Sequence, residues 1–72
     1  MLTDYHFDVG YQDKDTGRKS FTKDWIIAES TLSKAKENIE NQCQRNNWMI
    51  TDFVLLFSSN INGVNIYNKR LI

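Results

Sequence analysis

Proline is absent from this 72-residue chain, and cysteine and histidine each occur once. The single cysteine, Cys43, cannot form a disulfide within the chain. Because His6 is the only histidine, the sequence also lacks the set of Cys and His ligands that a structural zinc site needs. The chain must therefore be stabilised by packing, near the lower size limit at which a domain folds unaided. Proteins without disulfides are typical of reducing compartments, so we expect a cytoplasmic protein rather than a secreted one.

Long apolar runs and an excess of either charge are also missing. The longest uninterrupted apolar run is Phe53–Phe57, far short of the ~20 residues of a membrane-spanning helix. Residues 1–4 do not begin a basic segment followed by an apolar one, so we expect neither a signal peptide nor a membrane partner. Nine Lys and Arg balance nine Asp and Glu, which argues against the basic footprint of most nucleic-acid binders and the acidity of a DNA mimic.

The chain does contain enough apolar material for a core. Hydrophobic residues make up 40% of it and aromatic residues 12%, which is too much for a disordered segment. No linker or repeat divides the sequence, so we expect one domain over residues 1–72. Asparagine occurs eight times, and with the lysine content this usage is typical of AT-rich genomes such as those of many bacteria and their phages.

The N-terminal third predicts a β-hairpin. Apolar and polar residues alternate from Met1 to Tyr11, as in a strand with one buried face. Gly17 can take the left-handed conformation that closes a three-residue loop over residues 15–17. This loop sets the register and places the large aromatic side chains of both strands on one face, as a core requires. The predicted pairs are Tyr5 with Ile27, Phe7 with Trp25, and Tyr11 with Phe21.

After Ala28 the apolar period changes from two to that of a helix. Ser30 is the predicted N-cap, because its hydroxyl can accept an unpaired N–H of the first turn. Asn46 and Asn47 mark the helix end, since asparagine tolerates a left-handed backbone beyond the last turn. One apolar stripe results, formed by Leu32, Ala35, Ile39 and Cys43.

The C-terminal third predicts a second hairpin. Trp48 to Ile61 is the longest strand candidate, and Asn62-Gly63 is a strong two-residue turn pattern. With that turn, one face of the hairpin points to the helix and the other points away. The residues predicted to face the core are Phe53, Leu55, Phe57, Ile61, Val64 and Ile66.

These segments predict an α+β domain in the order ββαββ. A helix between the second and third strands makes those two strands parallel, so a fully antiparallel sheet requires the first strand to lie between them. We expect a single-layer, four-stranded antiparallel sheet with strand order 2-1-3-4 and one helix packed on one face. The other face has no second helix to cover it.

One cluster on the predicted polar face has the residue types of a reactive site. The predicted register places His6, Asp8 and Asp24 together, and two close carboxylates can bind a cation or act as an acid/base pair. Alternating strands ordinarily expose such residues to solvent, and no glycine-rich phosphate loop or paired nucleophile accompanies them. We therefore expect no enzyme activity, no cofactor and no metal, and name this cluster as the one metal-site candidate.

The uncovered sheet face is the predicted functional surface. An apolar patch with an aromatic and polar rim is typical of a protein–protein contact. The hypothesis is a small intracellular protein-binding module, of phage or mobile-element origin, that docks on a protein partner or on a second copy as a homodimer. The residues expected to form the patch are Ile26, Val54, Leu56, Tyr67, Lys69 and Leu71.

The alternative hypothesis is a weak single-stranded nucleic-acid binder. Aromatic side chains interleaved with basic ones on an open sheet can stack bases and neutralise phosphates. The zero net charge and the two aspartates on the same face argue against it. Its candidate residues are Trp48, Tyr67, Lys69 and Arg70.

Overall fold

The computed structural model describes residues 1–72 without a gap and contains four strands and one helix. The elements are β1 (Thr3–Asp13), β2 (Lys19–Glu29), α1 (Leu32–Arg45), β3 (Trp48–Asn60) and β4 (Gly63–Arg70). All strand pairs are antiparallel and the strand order is β2-β1-β3-β4. The predicted α+β class, element order and strand order are confirmed. At 14 residues, α1 is neither long nor apolar enough to cross a membrane.

The helix packs on one side of the sheet, which we call the helix face, and leaves the other side, the open face, without a covering layer. Its predicted stripe is confirmed, because Ala35, Ile39 and Cys43 are buried and Leu32 packs beside them. The sheet side of the core consists of Tyr5, Phe7, Val9, Ile27, Phe53 and Leu55. Truncating one such side chain to alanine costs about 2–5 kcal/mol, which is comparable with the ~3–5 kcal/mol that a core of this size supplies.

The helix reaches only part of the sheet. It contacts β1, β2 and β3, whereas every residue of β4 is exposed. A single helix is about 10 Å wide and four strands at ~4.8 Å spacing are wider than that. The fourth strand therefore lies beyond the cover of the helix and is held by its pairing with β3.

The helix ends are set by local side-chain hydrogen bonds. The N-cap is Thr31 rather than the predicted Ser30: its backbone is extended (φ −140°, ψ 155°) and its Oγ1 accepts the Lys34 N–H at 3.2 Å. Threonine is β-branched and favours the extended backbone that a cap position needs. At the other end Asn46 is the C-cap and Asn47 has a φ of 59°, so the predicted left-handed asparagine is confirmed.

The first hairpin turns one residue earlier than predicted. Asp13 pairs with Arg18, so the loop comprises residues 14–17, because the Asp13 carboxylate accepts the N–H groups of Asp15 and Thr16 at 2.8 and 3.2 Å. Gly17 does adopt the expected left-handed conformation (φ 74°).

This one-residue difference reverses the face of Phe21. The predicted pair of Tyr11 with Phe21 is wrong: Tyr11 pairs with Ser20, and Phe21 pairs with Gly10 on the open face. A Cβ built on Gly10 would lie 3.5 Å from the Phe21 ring, so the ring covers the strand where the glycine has no side chain.

A β-bulge at Asp24 restores the predicted register in the rest of the hairpin. Asp24 has a φ of 52°, and its N–H donates to the Asp8 carboxylate at 3.0 Å. Aspartate tolerates this left-handed backbone better than most residues. Beyond the bulge the predicted pairs of Phe7 with Trp25 and Tyr5 with Ile27 are confirmed.

The second hairpin differs from its prediction in the turn and in the faces of its strands. Asn60 pairs with Gly63, so Ile61 and Asn62 form the turn, and the Asn60 side chain accepts the Asn62 N–H at 2.9 Å. A bulge in β3 between Leu55 and Phe57 then sends Phe57 to the open face. Four residues predicted for the core are therefore outside it: Phe57, Ile61, Val64 and Ile66.

Substitutions at Asn47 test the left-handed helix end. We expect the free energy of unfolding of Asn47→Ala to be about 1 kcal/mol lower than that of Asn47→Gly, measured by urea denaturation. Both substitutions remove the amide, but only alanine keeps a Cβ that clashes in the left-handed region. Equal or greater stability of the alanine variant would contradict this backbone assignment.

Candidate docking face

One row of side chains crosses the open face on all four strands. Ile26 of β2 pairs with His6 of β1, His6 pairs with Phe57 of β3, and Phe57 pairs with Ile66 of β4. The His6 and Phe57 rings stack with centroids 3.9 Å apart and planes 18° from parallel. We call these four residues the open-face row. Antiparallel pairing, together with the β3 bulge, brings them together from positions as distant as 6 and 66.

The open-face row is the centre of a larger apolar surface. Ile66 is 71% exposed and Ile26 is 50% exposed, and Val64 beside the row is 61% exposed. Val54 lies on the row's other flank, opposite Asp8, and is half-buried. Contiguous exposed apolar side chains of this kind mark interaction sites more often than isolated ones do. No segment of the chain packs over them.

Carboxylates flank the open-face row. Register places Asp4 on one side of it and Asp8 on the other, and the Asp24 carboxylate bonds the His6 ring at its β2 end. Two basic side chains share this face: Lys23, which is exposed and lies with Asp24 opposite Asp8, and Arg70, which pairs with Val54 and approaches Asp52 at 4.0 Å. Carboxylates therefore outnumber basic groups around this apolar centre, although the whole chain is neutral.

The predicted cluster of His6, Asp8 and Asp24 is assembled in the structure. His6 Nδ1 lies 2.6 Å from Asp24 Oδ1, and Asp8 Oδ1 accepts the Asp24 N–H. These bonds fix the bulge and hold the imidazole flat against Phe57. No group of three or more His, Cys, Asp or Glu side chains is arranged to hold a metal ion. The arrangement positions the open-face row rather than presenting a free nucleophile.

The structure divides the predicted partner-binding patch between two faces. Ile26 and Val54 lie on the open face as predicted, and Leu56 is the half-buried extra residue of the β3 bulge.

The other three members lie on the helix face, which corrects the prediction. Tyr67 shares a hydrogen bond with the buried Ser58, Lys69 pairs with Leu55, and Leu71 packs on the core. The cause is the bulge at Leu56, which reverses the faces of β3 and of the strand paired with it.

The residues of the nucleic-acid alternative do not share a surface. Trp48 stacks on Tyr11, with ring centroids 4.4 Å apart, on the helix face. Tyr67 and Lys69 also lie on that side, whereas Arg70 lies on the open face. The prediction that these residues form one stacking platform is therefore wrong.

Sequence reasoning missed the central members of the apolar surface. Strict alternation from Phe53 predicts Phe57 on the core side and Ile66 with it on the paired strand, and the bulge at Leu56 reverses both. No sequence pattern marks that bulge, whereas the two turns are marked by an aspartate or asparagine just before each loop, at Asp13 and Asn60. Such a residue accepts the N–H two positions later and so starts the turn itself.

Cys43 has the environment of a core residue rather than a nucleophile. It is 1% exposed beneath α1, and its burial, with a smaller effect of the Glu40 charge, raises the pKa of the thiol above its ordinary value. A raised pKa keeps the thiol protonated near neutral pH, and the thiolate is the reactive form.

Comparison of the chain with known protein families, with curated proteins and with solved structures finds no match.

Thiol labelling tests the placement of Cys43. We expect a disulfide reagent such as DTNB to react with Cys43 at least ~100-fold more slowly in the folded protein than in urea. The reason is that the reagent reaches the thiol only after the fold opens, which costs several kcal/mol of free energy. A matched control is the Ser33→Cys, Cys43→Ala double variant, which places the thiol on the exposed side of the same helix. Equal labelling of the two folded proteins would show that Cys43 is not buried.

Proposed function

We propose that this chain is a small protein-binding module that docks on a protein partner through its open face. The observation that carries the proposal is the open-face row, in which apolar and aromatic side chains from all four strands form one exposed strip. The molecule measures 43 × 20 × 16 Å, so its broad side is of the order of the ~800 Å² that each partner contributes to a standard interface.

The charges around the strip indicate the chemistry of the partner. Asp4, Asp8 and Asp24 outnumber Lys23 and Arg70 around an apolar centre. A complementary surface therefore has apolar side chains at its centre and more Lys and Arg than Asp and Glu at its rim. Complementary charges of this kind raise the association rate and exclude partners of the wrong sign. A second copy docked face to face would instead bring these carboxylates against one another, which favours a different protein over a homodimer.

The proposal includes a cellular setting, which is the cytoplasm of a host cell. A lone buried cysteine suits a reducing cytoplasm, and the asparagine-rich composition supports a phage or mobile-element accessory protein. Small proteins of this kind act by contact, and this chain presents a contact surface without a convergent reactive site.

Nucleic acid fits this surface less well. Phosphates are bound by lysine and arginine, but beside the open-face row three aspartates, Asp4, Asp8 and Asp24, outnumber the two basic residues Lys23 and Arg70. Phe57, the aromatic ring of the row, already stacks on His6.

Charge substitutions on the open face test the docking proposal. The experiment is a pull-down with tagged protein from a lysate of the organism that carries the gene. We expect the unmodified chain to retain proteins that the Ile66→Glu and Ile26→Glu variants do not retain. Both side chains are exposed, so the fold tolerates the change, whereas a buried interfacial charge costs several kcal/mol of affinity. The retained proteins are identified by mass spectrometry and rebound in purified form at low and high salt.

The control is Asn41→Glu, which adds the same charge on the solvent side of α1. It should retain every protein that the unmodified chain retains. The proposal fails if the two isoleucine variants retain the same proteins as the control, or if purified partners bind equally at all salt concentrations.

Light scattering tests the choice between a partner and a second copy. We expect a monomer of about 8.5 kDa at low ionic strength, where repulsion between exposed carboxylates is strongest. A concentration-dependent dimer that Ile66→Glu abolishes would assign the open face to self-association instead.

A further inference from the structure

The helix face carries a separate aromatic cleft at the C-terminal end of α1. Tyr11, Trp25 and Trp48 form its apolar walls, and its volume is about 270 Å³. Three polar side chains complete the lining: Thr22, Gln42 and Asn46. The cleft lies on the opposite side of the sheet from the open-face row and contains both tryptophans of the chain.

Contacts within the protein hold the walls of this cleft in place. Tyr11 stacks on Trp48 and shares a 3.2 Å hydrogen bond with Thr22 Oγ1. Trp25 and Trp48 both pack against the hydrophobic core. A preformed cleft loses little side-chain entropy when a ligand binds.

Hydrogen bonds also fix the two polar side chains that the helix contributes, Gln42 and Asn46. The Gln42 amide donates to Asn38 Oδ1 at 2.7 Å, and the Asn46 amide donates to the Gln42 carbonyl oxygen at 2.8 Å. All three polar lining residues are uncharged. The cleft therefore suits a neutral ligand.

The chemistry of the lining narrows the class of ligand further. No charged side chain lines the cleft, which argues against an anion or a cation. The indole N–H groups of Trp25 and Trp48 make no hydrogen bond within the protein and are not closed off from solvent, so they are open to an acceptor. The stacked pair of Tyr11 and Trp48 forms one aromatic wall and Trp25 the other, which matches a ligand that has apolar rings and carbonyl acceptors.

We infer that this cleft binds a proline-rich segment of another protein in the polyproline II conformation. Pyrrolidine rings pack against aromatic walls, the segment's carbonyl groups accept from indole and amide N–H groups, and the preformed helix loses little entropy on binding. The chain itself has no proline, so no segment of it can supply this ligand. The cleft would be a second binding surface of the module, and its binding does not depend on the open face.

The size and shape of the cleft favour a peptide over a small molecule. Pockets for small molecules are typically 300–1,000 Å³ and bury most of the ligand, whereas this cleft is smaller and open. One or two proline rings fill such a space while the rest of the peptide continues along the surface.

Tryptophan emission gives a direct test, because both tryptophans line the cleft. Titration with decaproline should give a saturable change in emission, and a Gly-Ser peptide of equal length should give none. Asn46→Lys, which adds a charged side chain at the cleft, should weaken binding about fivefold or more, since it removes a polar contact and obstructs a wall. Asn41→Lys makes the same change on the same helix outside this cleft and should leave binding unchanged.

Three results would overturn the inference: no saturable change with decaproline, equal binding by the Asn46→Lys and Asn41→Lys variants, or a change produced by a neutral sugar such as cellobiose and not by decaproline. Circular dichroism of each variant checks that the fold is kept. Ile66→Glu should bind decaproline normally, so failure of the open-face proposal and failure of this one are distinguishable.

Discussion

The structure depends on one packing constraint, which is that a single 14-residue helix must form a core with a four-stranded sheet. Ala35, Ile39 and Cys43 are the helix side chains that reach the buried interior, and they cover the sheet mainly over β1, β2 and β3. Everything on the other side of the sheet meets solvent. The open face and the exposed fourth strand are therefore consequences of having one helix.

Most of the architecture could be predicted from the sequence, because it depends on periodicity over many residues. The stripe from Leu32 to Cys43 identifies the helix and its buried side without reference to the sheet. Once that helix is placed, a right-handed connection and antiparallel pairing leave few strand orders. A one-residue error at a turn changes neither the position of the helix nor the strand order.

The faces of individual strands could not be predicted in the same way, because side chains alternate with a period of two and a one-residue difference reverses them. Asp13 and Asn60 each accept the N–H two residues ahead and so start their turns early. Bulges at Asp24 and beside Leu56 then alter the register within the strands. A hydrophobic pattern does not encode these features. The early first turn places Phe21 on the open face, and the bulge beside Leu56 places Phe57 and Ile66 there.

The exposure of β4 has a consequence for how firmly the open face is held. β4 is paired on one side only, has no buried residue, and includes Asn68 with a φ of 50°. Strands of this kind open locally at a lower free energy than the core does. Ile66, the last member of the open-face row, therefore lies on a strand that opens more readily than the core. A partner that contacts it must also immobilise β4, so part of the binding free energy is spent in ordering a strand, and amide exchange in β4 would slow when the complex forms.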